Sequence, residues 1–359
     1  MTRASVAPTI RRDREQLHQA ALSALLNHAE PSVRWKARRQ VLHEDASSKS
    51  MRALRAEIRQ SPRVKTLLAQ RDTAGRIVSG RGVYAKWQGA HWILATLADI
   101  GYPEKDRTLQ PVRDQILDTW LAPEFYEERE IERKADVYKQ RGVVPIMQGR
   151  HRRCASQQGY ALYFLLRLGL EHERIHDLAE RLLHWRWPDG GWNCDKDPSA
   201  ATSSFIHTIH SLRGLHLYGS RFEHSDALKA AKKASELFLT RHLYKRKSNG
   251  ALIREEFAKL HYPLYWHYDY LLGLKVMAEI GSIRDRRCAD ALDLLESRQL
   301  PDGGWPAERR YYSVSQKIKL SADFVDWGGT SVTRMNPWVT ADALSVLVSA
   351  GRWKPKHDV

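Results

Sequence analysis

Cysteine is scarce: the 359 residues hold three, Cys154, Cys194 and Cys288. Three cannot build a disulfide framework, and an odd count points to reduced thiols in a cytosol-like compartment. Long apolar runs are missing too. The N-terminal stretch MTRASVAPTIRRDREQLHQ has none of signal-peptide length, and nothing elsewhere approaches the roughly 18 apolar residues that span a bilayer. The expectation is a soluble, cytoplasmic protein with no transmembrane segment. Period-two alternation between hairpin turns is absent as well, which argues against a substantial sheet.

Acid is in deficit. Lys and Arg number 58 against 42 Asp and Glu, a formal charge of +16. Residues 1–72 hold 15 basic and 7 acidic side chains, so +8, half the excess in one fifth of the chain. Such a bias favours anionic partners, from a small anionic ligand to a peripheral membrane or nucleic-acid contact through the basic N-terminal region. It carries no information on fold.

Repetition carries the organisation. Six segments rich in small and aromatic residues recur at helical spacing: 31–42, 84–101, 154–170, 203–219, 262–281 and 336–351. Longer, more polar helices precede most of them, such as 177–187, 227–244 and 288–300. Neither member of such a pair can bury a face alone. Stacked side by side, about six pairs close on themselves, so the expected fold is all-α, an (α/α)6 toroid, with an open superhelix as the alternative. Residues 1–80 read as basic helical hairpins belonging to the toroid, and 81–359 as its repeats.

The turns RWPDGGW (186–192) and RQLPDGGW (298–305) end polar helices with Pro, turn on Gly and return on Trp. The longer pattern ALDLLESRQLPDGGW resembles the repeat of squalene–hopene cyclases, with Gln299, Gly303 and Trp305 matching; the earlier copy has Arg186 in place of the Gln. A second resemblance is to the β subunits of protein farnesyl- and geranylgeranyltransferases, whose zinc site uses Asp-x-Cys at one inner helix and His-Thr at the next. Here Cys154, His207-Thr208 and Leu212-x-Gly214-Leu215 match, and Arg152 stands at the Asp position. The resemblance covers 84–350 as architecture and 149–215 and 288–305 as motifs. It implies a zinc site at Cys154 and His207, with Cys194 and Asp195 or Asp197 supplying further ligands. The triterpene cyclases' Asp-x-Asp-Asp acid has only a partial counterpart in DKDP (195–198), with Asp195 as the candidate acid.

Other candidates come from the residues themselves. HYPLYWHYDYLLGL (261–274) gathers polar aromatics, with His267 and Asp269 as an acid–base pair and Tyr265 and Trp266 as substrate contacts. Trp87 and His91, four apart, share a helix face. Arg150, Arg152 and Arg153 precede an inner helix, a cradle for diphosphate or carboxylate, and the matching prenyltransferase segment also opens Gly-Arg and binds the lipid diphosphate. The leading expectation is a protein that binds or transforms an isoprenoid, such as a prenyl diphosphate, in a central aromatic cavity with a cationic mouth. The alternatives are a carbohydrate-active (α/α)6 enzyme acting on an anionic polysaccharide and a non-catalytic binding toroid whose centre is plugged.

Overall fold

The computed structural model describes the backbone of residues 3–140 and 142–356 and the side chains of residues 13–140 and 142–356. It is predominantly helical. The helices are α1 (Arg3–Leu26), α2 (Pro31–Lys36), which runs into a π-helical turn Ala37–Val41, α3 (Lys49–Gln60), α4 (Pro62–Leu68), α5 (Ala90–Asp99), α6 (Gln110–Trp120), α7 (Lys134–Val137) and α8 (Ser156–Arg167). They continue as α9 (Ile175–His184), α10 (Phe205–Arg221), α11 (Ser225–Leu239), α12 (Tyr270–Glu279), α13 (Ala289–Ser297) and α14 (Pro337–Ser349). Among the described residues the largest sheet has three short strands, β1 (Glu128–Glu130), β2 (Val144–Met147) and β3 (Arg150–His151), and a two-stranded ladder joins β4 (Ser313–Val314) to β5 (Ala322–Asp323). No helix among the described residues is long and apolar enough to cross a membrane.

Each small-and-aromatic segment contains a helix, and these helices pack against one another in chain order: α5 on α8, α8 on α10, α10 on α12, α12 on α14, and α14 on α2 and its π turn. The more polar helices lie against them, α6 on α5 and α8, α9 on α8 and α10, α11 on α10, α13 on α12 and α1 on α14. Composition explains the division. α9 buries Ile175, Leu178, Ala179 and Leu182 on one face, whereas α5, α8, α10 and α14 bury residues all round.

Two segments start later than the periodicity predicts. Residues 84–89 and 262–269 are turns, and α5 and α12 begin only at Ala90 and Tyr270. Asp269 stops any earlier start: it is the N-cap of α12, accepting the Leu272 amide at 2.9 Å. Tyr265 has a φ of 51° and lies outside helical space.

α8 and α10 approach backbone to backbone. Gly159 faces the Ser211 backbone and Gly214 faces the Gly159 carbonyl, and a Cβ at either glycine would overlap its neighbour. This approach brings the start of α8 beside the first turn of α10.

Part of the N-terminal excess of positive charge is paired within the molecule. Arg14 pairs with Glu296, Arg55 with Glu104 and Arg59 with Asp106. Lys36, fully buried, lies 2.9 Å from both Asp99 and Asp342.

Candidate functional site

The Gly159/Gly214 contact sets the distance between Cys154, two residues before α8, and His207, in the first turn of α10. The loop after Trp192 brings in a third group. Sγ of Cys154, Sγ of Cys194 and a ring nitrogen of His207 lie within 4.8 Å of one another, all three residues partly exposed. Sγ of Cys194 is 3.3 Å from Nε2 of His207, and Nδ1 of His207 is buried with no hydrogen-bond partner.

These distances fit a zinc ion. Bonds of about 2.3 Å to sulfur and 2.0–2.1 Å to nitrogen, at tetrahedral angles, separate a sulfur from a nitrogen ligand by about 3.5 Å. Two thiols and one imidazole leave the fourth position for solvent or substrate. Hydrogen bonds from Cys194 and His207, with the Arg153 charge beside it, hold the Cys154 thiol well below its usual range against the opposing effect of burial. The same thiol–thiol hydrogen bond, together with burial, pushes Cys194 up, so the pair shares one readily lost proton.

Asp195 is not part of this group. It is exposed, and its Oδ1 accepts the Asp197 amide at 2.9 Å; Asp197 in turn accepts the Ser199 amide at 2.9 Å. Both carboxylates are engaged in Asx turns, which is the local reason they point along the loop. Arg152, which stands where the prenyltransferase β subunits have Asp, is also accounted for. Its guanidinium donates to the carbonyls of Ala200 (2.9 Å), Pro198 (3.2 Å) and Met147 (3.3 Å) and stacks over Trp187 at 4.5 Å. With Lys196 donating to the Arg152 carbonyl and an Arg152–Asn193 bridge, it fastens the Cys194 loop to the segment before α8. It is a buried structural cation, 1 % exposed.

The three arginines therefore do not form one cradle. Arg150 donates to the Gln148 carbonyl at 3.1 Å, and Arg153 stacks over Phe125 at 4.2 Å and bonds Gln157 at 3.2 Å. Burial lowers Arg153 to about 10, partly offset by the two thiols beside it.

The aromatic candidates are packed rather than open. Trp87 stacks on Tyr265 at 4.0 Å, and Tyr265 donates to Asp323 at 2.6 Å. His91 is fully buried and receives the Trp120 indole N–H at 3.2 Å. Trp266, with Lys86 at 4.8 Å, stacks on His267, and His267 stacks on Tyr311. The carboxylate partner of His267 is missing: Asp269 is buried against His261, at 3.1 Å from its amide and 3.3 Å from its Nδ1.

A network of buried and partly buried charges joins α2, α5, α12 and α14. Lys36 and Lys275 interleave with Asp99 and Asp342 at 2.8–3.1 Å, and Tyr262 donates to Asp99 at 2.8 Å. Burial raises Asp99, but Lys275 and Lys36 outweigh it and hold the carboxylate well below its usual range. The sequence signal was Asp99 and Asp342, each the single Asp, Glu, Lys or Arg of an otherwise apolar helix. The cavity beside them leaves only about 60 Å³ for water molecules. At roughly 10–15 Å³ each that admits a handful of waters, far short of the few hundred Å³ of small-molecule sites.

A wider space opens on the residues that precede His207 in the chain. A groove of about 480 Å³ has an apolar floor of Phe205, Ile206, Ile253 and Phe257 and a rim of Arg241, Arg246, Lys247 and Arg254. Arg241 and Arg246 donate only to Thr240 and to backbone carbonyls, and no carboxylate pairs with any of the four among the described residues. The sequence reading did not select these cations; their spacing in TRHLYKRKSNGALIRE was the available signal.

No protein-family model matches the chain, and no curated protein matches it.

Proposed function

We propose that the chain is an α/α toroid that binds or transforms an isoprenoid diphosphate at the Cys154–Cys194–His207 centre and the adjoining groove, outside the filled middle of the ring. The observation that carries this reading is the meeting of two thiols and an imidazole, with an open position, one residue from the floor of an apolar groove rimmed by cations. Cys154, Cys194 and His207 would hold zinc, which when bound supplies Lewis acidity and a site for a thiolate or water. Arg241, Arg246, Lys247 and Arg254 neutralise and orient a diphosphate through charge-assisted hydrogen bonds. Phe205, Ile206, Ile253 and Phe257 take the adjacent apolar chain, at about 25 cal/mol per Å² of surface removed from water. Arg153, beside the thiols, favours their ionised forms.

Two measurements test this together. Elemental analysis of the purified protein should show a zinc equivalent that is present in the natural chain and lost in Cys154→Ser. Farnesyl or geranylgeranyl diphosphate should raise the melting temperature, and an Arg246→Ala/Arg254→Ala variant should lose most of that shift while Arg150→Ala keeps it. Stabilisation by oligouronides alone would favour the polysaccharide enzyme and overturn the proposal. A second reading, a non-catalytic binding toroid, is favoured by the ion network that fills the centre; stabilisation by the diphosphates without any turnover would select it.

A further inference from the structure

A second group of ligating side chains lies away from the thiols. Glu128 on β1, His151 on β3 and His184 at the end of α9 bring their ligand atoms within 4.8 Å of one another. Nε2 of His184 is 2.7 Å from Oε1 of Glu128, and Nε2 of His151 is 3.2 Å from Oε2. The two imidazole rings are 4.6 Å apart, centre to centre.

Three features distinguish this group from a surface ion pair. Nε2 of His151 is buried and, although close to Glu128, is not aligned to hydrogen-bond with it. The carboxylate and the backbone are held from behind: Trp185 donates its indole N–H to Oε1 of Glu128 at 3.3 Å, and Trp187 donates to the His151 carbonyl at 2.8 Å. Such supporting hydrogen bonds orient metal ligands. Finally, His184 lines an open cleft of about 400 Å³ with Tyr126, Asp177, Glu180 and Arg181, so a cation here would keep positions facing solvent.

We propose that Glu128, His151 and His184 form a second divalent-metal site, sulfur-free and distinct from the thiol centre. Ligand atoms bonded at 2.0–2.2 Å sit about 2.9–3.5 Å apart at octahedral to tetrahedral angles, and the two observed N···O separations bracket the short end of that range. Two imidazoles and one carboxylate with open positions suit a first-row divalent cation such as Zn²⁺. The site does not depend on the isoprenoid reading. His151 lies three residues before Cys154, so one short segment serves both centres.

The test is equilibrium dialysis against Zn²⁺ alone. The full chain should take up two equivalents. A Cys154→Ser/Cys194→Ser variant should keep one, and adding Glu128→Gln/His184→Gln should weaken that remaining binding more than a hundredfold. Conversely, Glu128→Gln/His184→Gln in the otherwise natural chain should leave the thiol-bound equivalent in place. If the thiol-free variant, folded by circular dichroism, binds no zinc, or binds it equally after Glu128→Gln/His184→Gln, the proposal fails. Should the thiol-free variant not fold, cobalt titration of the natural chain decides. A second equivalent adding no thiolate-to-cobalt absorption supports the site, and saturation at one equivalent overturns it.

Discussion

The two Pro-Asp-Gly-Gly-Trp turns are built alike and do different things. In the first, the Trp192 indole donates to the Leu182 carbonyl at 2.9 Å and its amide to Thr208 Oγ1 at 3.2 Å. In the second, Trp305 donates to Leu295 at 2.7 Å and to Thr340 at 2.9 Å. Asp189 and Asp302 each reach across to an amide in the following loop, that of Ser203 at 2.7 Å and of Met335 at 3.3 Å. Two residues after the Trp stands Cys194 in one and Ala307 in the other; just before the Thr stands His207 in one and Val339 in the other. Ala307 and Val339 are each 1 % exposed, core residues where the first copy has partly exposed metal donors. The turn itself is a joint between a polar helix and the more buried helix that follows it, and ligating groups occupy two of its variable positions in only one copy.

The comparison breaks most sharply at those positions. Cys194→Ala should cost the thiol centre more than the 10–100-fold in zinc affinity that a supporting residue contributes, while Ala307→Ser leaves the metal content unchanged. Elemental analysis after dialysis reads both. Next in size is the shared joint. Trp192→Ala and Trp305→Ala each remove a buried indole and strand a helix-end carbonyl, so each should cost about 3–5 kcal/mol in denaturant unfolding. Only the Trp192 variant should also lose zinc.

A pH difference separates the copies further. Trp305 is stacked by His18, which also tilts against Trp353, and neither ring nitrogen of His18 has a hydrogen-bond partner. Burial, aided by the Arg14 charge, lowers His18 to about 4. Its folded value lies below its unfolded one, so between pH 6.5 and 4 the unfolded chain binds more protons and stability falls as pH falls. The expected loss from this residue is on the order of 3 kcal/mol across that window. Unfolding of His18→Phe followed from pH 7 to pH 4 should show a smaller drop than the natural chain; equal drops would refute the assignment.

The same pair of turns shows what the sequence made legible. Helices at the centre were readable because small and aromatic residues at helical spacing suit elements buried all round, and Cys154 and His207 because they begin such helices. Residues 84–89 and 262–269 misled because aromatic spacing fits a helix even where a glycine packed against the Val83 carbonyl and the Asp269 cap delay it. Asp195 fell out of the ligand set through a local Asx turn, a competition that ligand spacing does not register. The Lys36–Asp342 pair joins residues 306 apart, and Glu128, His151 and His184 come from two strands and a helix end; pairings of that kind exist only once the helices have packed.

The smallest effect is the most discriminating. Thr208 and Thr340 each accept the amide of the turn Trp, and each hydroxyl donates back to that residue's carbonyl, at 3.4 and 3.2 Å. Replacing either with Val keeps the shape and strands one buried N–H, which should cost about 1–2 kcal/mol. Since the two joints share no partners, the double variant should cost the sum within roughly 0.5 kcal/mol. Zinc should not follow that symmetry. Thr208 is the neighbour of His207, and loosening Trp192 frees the loop that carries Cys194, so Thr208→Val should weaken zinc about tenfold while Thr340→Val leaves it unchanged. Equal zinc affinity in the two variants would mean that the Cys194 loop is positioned by Arg152 and Lys196 alone, with the tryptophan joint serving only the fold.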